Sequence, residues 1–278
     1  MTSAAIPPNP DDRAHVNGIH VTTVDRVGYL RLGLAGTLNP ISYEMWCAIP
    51  DVMKGFEADP DVGAIVIEGV GKHFSAGANI KEFATHRSNA DQTAHYNDAV
   101  SSAELAIQAV TKPTLAVIRG TCIGGGCEIS LSCDLRLAES EARFGITPSR
   151  LGIIYPFTST KTLIDVVGPA NAKYLLFTAD IIDAAAAAQI GLVNRVVPAD
   201  QLEKEKQQLL RTLTQRSLQS IQGTKVMTDR ILSGLTEPDH EMRELSAAAS
   251  DSADYRARVR AFVEKRATNQ QPMTAGQN

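Results

Sequence analysis

The sequence predicts an α/β fold: repeated units of two short strands and a helix, closed by a helical C-terminal region. Three observations carry this. Short β-rich apolar runs recur from residue 20 to 138, stretches with helical spacing lie between them, and beyond Gly168 the texture turns almost wholly helical. The 278 residues suit one large domain or a main domain with a smaller appendage, because single cores seldom grow past about 250–300 residues. We divide the chain into a flexible N-terminal tail (1–17), a core of strand–strand–helix units (18–198) and a C-terminal helical region (199–278).

Each element has its own signal. The tail carries Pro7, Pro8, Pro10, Asp11 and Asp12 and lacks the apolar run of a signal peptide. Residues 20–24 and 27–32 form a hairpin turning at Asp25 and Arg26. Apolar residues at helical spacing mark 41–58 and 91–111, and 124–133 is a third, shorter helix. The continuous apolar run at 62–68 suits a buried strand, and 113–119 and 134–138 repeat that character. Helices follow at Pro169–Phe177, Asp183–Ile190, Ala199–Arg216, Leu218–Leu232 and Glu237–Lys265, the last broken near Asp251. A strand at Val193–Val197 interrupts them, and the Thr236-Glu-Pro-Asp239 turn supplies a helix start by ordinary capping chemistry.

Composition removes several classes of function. The 27 Lys plus Arg against 31 Asp plus Glu leave a formal charge of −4, which argues against nucleic acid as a partner. No segment reaches the ~20 apolar residues of a membrane helix. Of four cysteines, Cys122, Cys127 and Cys133 crowd one apolar segment in no zinc-binding pattern and with no His nearby. They read as buried small hydrophobes in a reducing cytoplasm, and no metal site is expected. No G-x-G-x-x-G follows a strand, and Gly71-Lys72 continues into His73, so dinucleotide and P-loop fingerprints are both absent. His73-Phe-Ser-Ala-Gly77 has the serine-elbow pattern except for its first glycine, which disfavours Ser75 as a nucleophile.

Two glycine turns and one carboxylate remain. Lys72–Glu82 follows a buried strand and precedes a helix, placing the backbone of Ala76 to Asn79 in a tight turn whose N–H groups are free to meet an anion. Gly120–Glu128 also follows a strand, and Gly124, Gly125 and Gly126 allow another backbone to approach before a helix starts. Two such donors converging on one oxygen form an oxyanion hole. Glu128 follows at once among Ile123, Cys127, Ile129 and Leu131. In that company a carboxylate has a raised pKa and can act as general acid or base, although a first-turn Glu also serves simply to complement the helix dipole.

At these residues the sequence resembles the crotonase (enoyl-CoA hydratase/isomerase) superfamily. HFSAGANIKE at 73–82 and GGGCEISLSCDLRLA at 124–138 are similar to its two signature blocks, and the likeness runs from the hairpin near Val27 to AFVEKR at 261–266. The resemblance implies a crotonase-type spiral of ββα units whose C-terminal helices pack trimers, often paired into hexamers. It implies acyl-CoA thioester substrates, with coenzyme A as part of the substrate and no separate cofactor. The thioester oxygen would lie between the N–H groups of Ala78 and Gly125. Ala76, Ala78, Asn79, Ile80, Lys81 and Gly124 would border the CoA moiety, with Lys72 and Lys81 near phosphate unless they are ordinary solvated lysines.

The resemblance also has a gap. Hydratases of this family use a second glutamate about twenty residues after the first, where this chain has Pro148, and no Asp or Glu occurs from Ala142 to Ile164. Thr147-Pro148-x-x-Leu151-Gly152-x-x-Tyr155 stands there instead and is similar to the methylmalonyl-CoA decarboxylase branch, in which a Thr and a Tyr line the acyl pocket. That places Thr147 and Tyr155 beside Glu128 as catalytic candidates, Tyr155 as proton donor or as pocket wall. The same decarboxylases carry His where this chain has Ala78, so a substrate carboxylate would need another cation, Arg150 or His86. The expectation is an enoyl-CoA hydratase-like lyase, with malonyl-type decarboxylation, enoyl isomerisation or a non-catalytic CoA-binding role as alternatives.

Overall fold

The computed structural model describes residues 13–16 and 18–269. Most of the proposed tail therefore lies outside the described residues, but residues 13–16 do not. Residues 13–16 form β1 (Arg13–Val16), an edge strand antiparallel to β2 (Ile19–Val24). β2 and β3 (Val27–Leu32) make the expected hairpin, with Asp25 at φ 48° and Arg26 at φ 65°. That pair of left-handed residues is the tight hairpin turn whose twist matches the strands.

α1 (Tyr43–Ala58) and β4 (Ala64–Gly69) follow, then the one-turn α2 (Phe83–His86) and α3 (Ala90–Ala109). β5 (Thr114–Ile118), β6 (Thr121–Ile123) and α4 (Gly125–Ser132) form the next unit, and β7 (Leu135–Glu139), β8 (Arg143–Gly145) and α5 (Phe157–Thr178) the one after. β9 (Ile181–Asp183), α6 (Ala184–Gln189), β10 (Arg195–Val197) and α7 (Leu202–Gln215) complete this part. The strand–strand–helix repeat is thus observed. Three short strands, β6, β8 and β9, and the first half of α5 were not foreseen. Gly168, taken as the start of the helical region, sits inside α5 as a non-helical break at φ 75° and ψ 163°.

A seven-stranded sheet runs in the order β1-β2-β3-β4-β5-β7-β10, parallel from β3 onward, and β6, β8 and β9 make a second small sheet. The large sheet divides two apolar layers by simple alternation. Ile65, Ile67, Ala116 and Ile118 point toward α1, α3 and α4, whereas Ala64, Val66, Leu115 and Val117 point toward α7. Burial on both faces explains why these strands read as unbroken apolar runs.

The chain forms two compact units, residues 1–215 and 216–278. The boundary falls one helix later than the sequence division at 198, because Leu202 and Leu210 seat α7 in the second apolar layer of the sheet. The second unit holds α8 (Leu218–Leu232), α9 (His240–Ser250) and α10 (Ala253–Asn269), with α9 capped by Asp239 and a break at Asp251–Ser252. Among the described residues, no helix is long and apolar enough to cross a membrane and no cluster of His, Cys, Asp and Glu is suited to a metal.

Candidate active site

The two glycine turns are stitched together by backbone hydrogen bonds. Phe74 N–H donates to the Arg119 carbonyl (2.8 Å), Ser75 N–H to that of Thr121 (2.9 Å), and Ile123 N–H back to that of Ser75 (2.9 Å). The first turn thereby acts as an extra strand beside β6. On its other side Ile41 N–H donates to Gly77 O and Asn79 N–H to Ile41 O, each at 2.8 Å. Ala76 N–H donates to Leu38 O (2.8 Å) and Gly77 N–H to Ser75 Oγ (3.0 Å).

This bonding corrects the expectation that the whole Ala76–Asn79 turn offers free donors. From Phe74 to Asn79 every N–H is spent within the chain except that of Ala78. The second turn leaves one facing it: Gly124 N–H donates to Gly145 O (2.8 Å), while Gly125 is the first residue of α4 and its N–H has no acceptor among the described residues, as the opening turn of a helix dictates. A Cβ built on Gly77, at φ +97°, would lie 3.2 Å from Gly125 N, and one on Gly125 would lie 3.3 Å from Ala78 N and 3.4 Å from Glu128 Oε2. The two free donors and the carboxylate therefore surround one small volume. Ser75 is fully buried and its hydroxyl donates to Asn39 O at 2.7 Å; it holds the turn and has no path to a substrate.

That volume opens into a pocket walled by α1, α3, α4 and the segment 147–156. Of the sequence candidates, Ala76, Ala78, Ile80, Gly124, Gly125, Glu128, Thr147 and Tyr155 line it. Lys72, Asn79 and Lys81 do not. Both lysines are exposed, and the Asn79 amide is held by Glu82 at 2.6 Å. The proposed cations also lie elsewhere: Arg150 donates to the Ala179 carbonyl, and His86 stacks on Tyr43 at 4.5 Å. The pocket's cation is Arg87, which sequence reasoning passed over. Its guanidinium rests on the rings of Phe83 (5.0 Å) and Tyr96 (4.9 Å), and among the described residues it has no ion-pair partner.

Glu128 is buried in the first turn of α4, and its acid is pushed up to about 7. Burial is the largest cause, opposed by the Arg87 charge and then by the hydroxyls of Tyr155 and Ser159. Neither hydroxyl closes a hydrogen bond of ordinary length, and both are buried without a partner. Tyr155 is pushed well above the usual tyrosine range, first by burial and then by the Glu128 charge. The far wall is aromatic: Trp46 Nε1–H donates to Tyr96 OH at 3.2 Å, and burial raises Tyr96 to about 12. Arg87, Trp46 and Tyr96 were missed because each signal was ordinary for its helix.

Comparison with known proteins agrees with this geometry. The profile of the enoyl-CoA hydratase/isomerase family matches residues 24–271. The chain is 35% identical over 247 residues to a probable enoyl-CoA hydratase of Mycobacterium bovis, covering 87% of this chain and 93% of that protein. It is 31% identical over 249 residues to a crotonyl-CoA hydratase of Syntrophomonas wolfei, covering 88% and 94%. The structure superposes on a putative enoyl-CoA hydratase/isomerase family protein from Hyphomonas neptunium with a TM-score of 0.85 at 32% identity, over 89% of this chain and 95% of that one.

Proposed function

Because the chain belongs to the enoyl-CoA hydratase/isomerase family, we propose that its pocket holds an acyl-CoA thioester oxygen between Ala78 N–H and Gly125 N–H while Glu128 moves a proton. The observation that carries this is the pair of N–H groups left uncommitted on two bonded turns, with one buried carboxylate beside them. In hydration the Glu128 carboxylate takes a proton from water as the water oxygen bonds the β-carbon of an enoyl thioester. The alkene electron pair passes to the thioester oxygen as an enolate. The same proton, now on Glu128, is returned to the α-carbon. Isomerisation uses the identical group, taking a proton from one carbon and returning it to another, so neither reaction demands a glutamate at Pro148.

The magnitudes are adequate. Each donor to a developing oxyanion is worth about 10²–10³ in rate and a positioned acid–base group about 10²–10⁴. A carboxyl raised toward neutrality is matched to both directions of proton transfer. The test is crotonyl-CoA hydration followed by loss of the enoyl thioester absorbance, together with deuterium uptake at the α-carbon in D₂O. Tight thioester binding with neither signal would leave decarboxylation or the non-catalytic reading.

A second reading, decarboxylation of a malonyl-type thioester, is favoured by Arg87. Among the described residues it is the one cation lining the pocket, and it closes no ion pair with a carboxylate, although its charge reaches Glu128. There the bond to the carboxylate breaks, its electron pair enters the enolate, CO₂ leaves, and a proton from Glu128 or Tyr155 completes the α-carbon. Release of CO₂ from a malonyl-type thioester in preference to crotonyl-CoA turnover would select it. We further propose a homotrimer or a dimer of trimers, because Ile154 (91% exposed) and Phe157 (83%) present large apolar groups to solvent. A sedimentation mass equal to one chain would refute this. A cytoplasmic setting fits four cysteines without a disulfide.

A further inference from the structure

The chain does hold a second carboxylate at the site, contributed by an element the family comparison does not point to. α3 buries one stripe, Tyr96, Val100, Ala103, Glu104 and Ile107, whose spacing is that of a single helical face. Glu104 stands on it fully buried, and neither carboxylate oxygen has a hydrogen-bond partner. Among the described residues no cation reaches it. Its neighbours are Glu128 of α4 and the Ser159 hydroxyl in the first turn of α5; Tyr155, ahead of α5, also feels its charge. Ser159 Oγ acts on both carboxylates and is itself buried without a closed hydrogen bond. Three unsatisfied oxygen-bearing groups thus meet behind the one that faces substrate.

A bare ionised carboxylate in such a place is strongly disfavoured, whereas a protonated one carries a donor that its surroundings can accept. We propose that Glu104 is a positioning residue of the reaction: a neutral carboxylic acid that donates its proton in a hydrogen bond to Ser159, which in turn donates to Glu128 and holds it as the oriented carboxylate base. No proton leaves Glu104 during turnover. Its role is to let the site carry one negative charge rather than two and to fix where that charge sits. This takes over the orienting part of the second glutamate absent from 142–164. It rests on the reading of Glu128 as the base.

The direction of each acid agrees. Burial first, and then the Glu128 charge, pushes Glu104 up to about 9, above the value of about 7 for Glu128. Paired groups driven apart in this way divide the roles of acid and base between them, and the two steps belong to the pair. Below the lower step both are neutral and no base exists. Between the steps one charge resides on Glu128. Above the upper step both are charged, only the lone Ser159 proton is left to share, and orientation fails.

The experiment is the pH profile of kcat and kcat/KM for the best thioester found, in the wild type, Glu104→Gln and Glu104→Leu. The wild type should give a bell with limbs near pH 7 and 9. Glu104→Gln keeps a permanently neutral donor and should retain kcat within about threefold and the acid limb, while losing the alkaline limb. Glu104→Leu should lower kcat about 10–100-fold with KM unchanged. An alkaline limb that persists in Glu104→Gln, or a Leu variant with wild-type kcat, overturns the proposal. A companion measurement needs no turnover: ¹³C-carboxyl NMR of wild type against Glu104→Gln should show one side-chain carboxyl still protonated at pH 8 and missing from the variant. Its absence in the wild type overturns the proposal even if the protein only binds thioesters. Turnover unchanged in Glu128→Gln would instead refute the reading beneath it.

Discussion

Two buried glutamates on opposite sides of the large sheet have opposite surroundings. Glu68, on β4 facing α7, lies 3.0 Å from Arg31 Nε, 3.1 Å from Lys206 Nζ and 3.7 Å from Arg119, and Lys206 also holds Glu203 at 2.8 Å. Glu104, in the helical layer beside the pocket, has no cation and no hydrogen bond of ordinary length. Where a carboxylate serves the architecture the chain surrounds it with charge, and where it serves the site the chain leaves it short of partners. The difference separates a joint from the positioning group proposed above. Glu68 has three cations where water would otherwise stand. Glu104 has none, and burial raises its carboxyl well above that of Glu128.

The sharpest way to break this distinction is at the proposed base, Glu128. Glu128→Gln should lower kcat about 10²–10⁴-fold in steady-state assays while calorimetry shows thioester affinity kept and the unfolding temperature equal to or above wild type. A variant that unfolds easily would make Glu128 a second Glu68. Next in size is Glu68→Ala, which leaves buried Lys206 with Glu203 alone and should cost about 1–3 kcal/mol in urea unfolding, with turnover per folded molecule retained. The paired change Glu104→Leu should leave unfolding free energy unchanged or raised, because an apolar group replaces an unsatisfied one. Equal losses from both would erase the contrast.

Gly125→Ala tests the geometry that both readings share. The added methyl would come 2.9 Å from Trp46 Cζ2 and enter the volume between the donors, so kcat should fall about 10²–10³-fold, a loss that an open site would not show. A last effect is on stability against pH. Glu104 is released near 4.5 in an unfolded chain but near 9 in the folded one. The folded state therefore binds the extra proton between those values, and stability declines as pH rises through the window, by at most ~1.4 kcal/mol per pH unit. Urea midpoints at pH 5.5, 7 and 8.5 should fall more steeply for the wild type than for Glu104→Gln. The same midpoints for Glu68→Gln carry no such prediction.

Much of this was legible in the sequence, for identifiable reasons. The hairpin at 19–32, the buried strands β4 and β5 and the helices α1 and α3 follow from apolar periodicity, and Glu128 announces itself as an acid in an apolar company. The strands β6, β8 and β9 span three residues each, too few for any period, although they set the distance between the two donor turns. Glu104 was hidden by its neighbour. Leu105 beside it is 53% exposed while Glu104 is fully buried, the reverse of what polarity suggests, and only the spacing from Tyr96, Val100 and Ile107 gives it away. Of the bases at 86, 87 and 150, the one that enters the pocket is decided where α2 ends, since Arg87 leaves helical geometry at φ −141°. No composition encodes that turn.

The cysteines carry a last consequence. Cys122, Cys127 and Cys133 lie sealed around α4, with the first two sulfurs 3.9 Å apart and no disulfide, whereas Cys47 is exposed. An alkylating reagent added to the native protein meets one thiol at once and the other three only when that layer opens. Counting added masses over time would clock the opening of the segment that bears Gly125 and Glu128, using reporters the chain already contains.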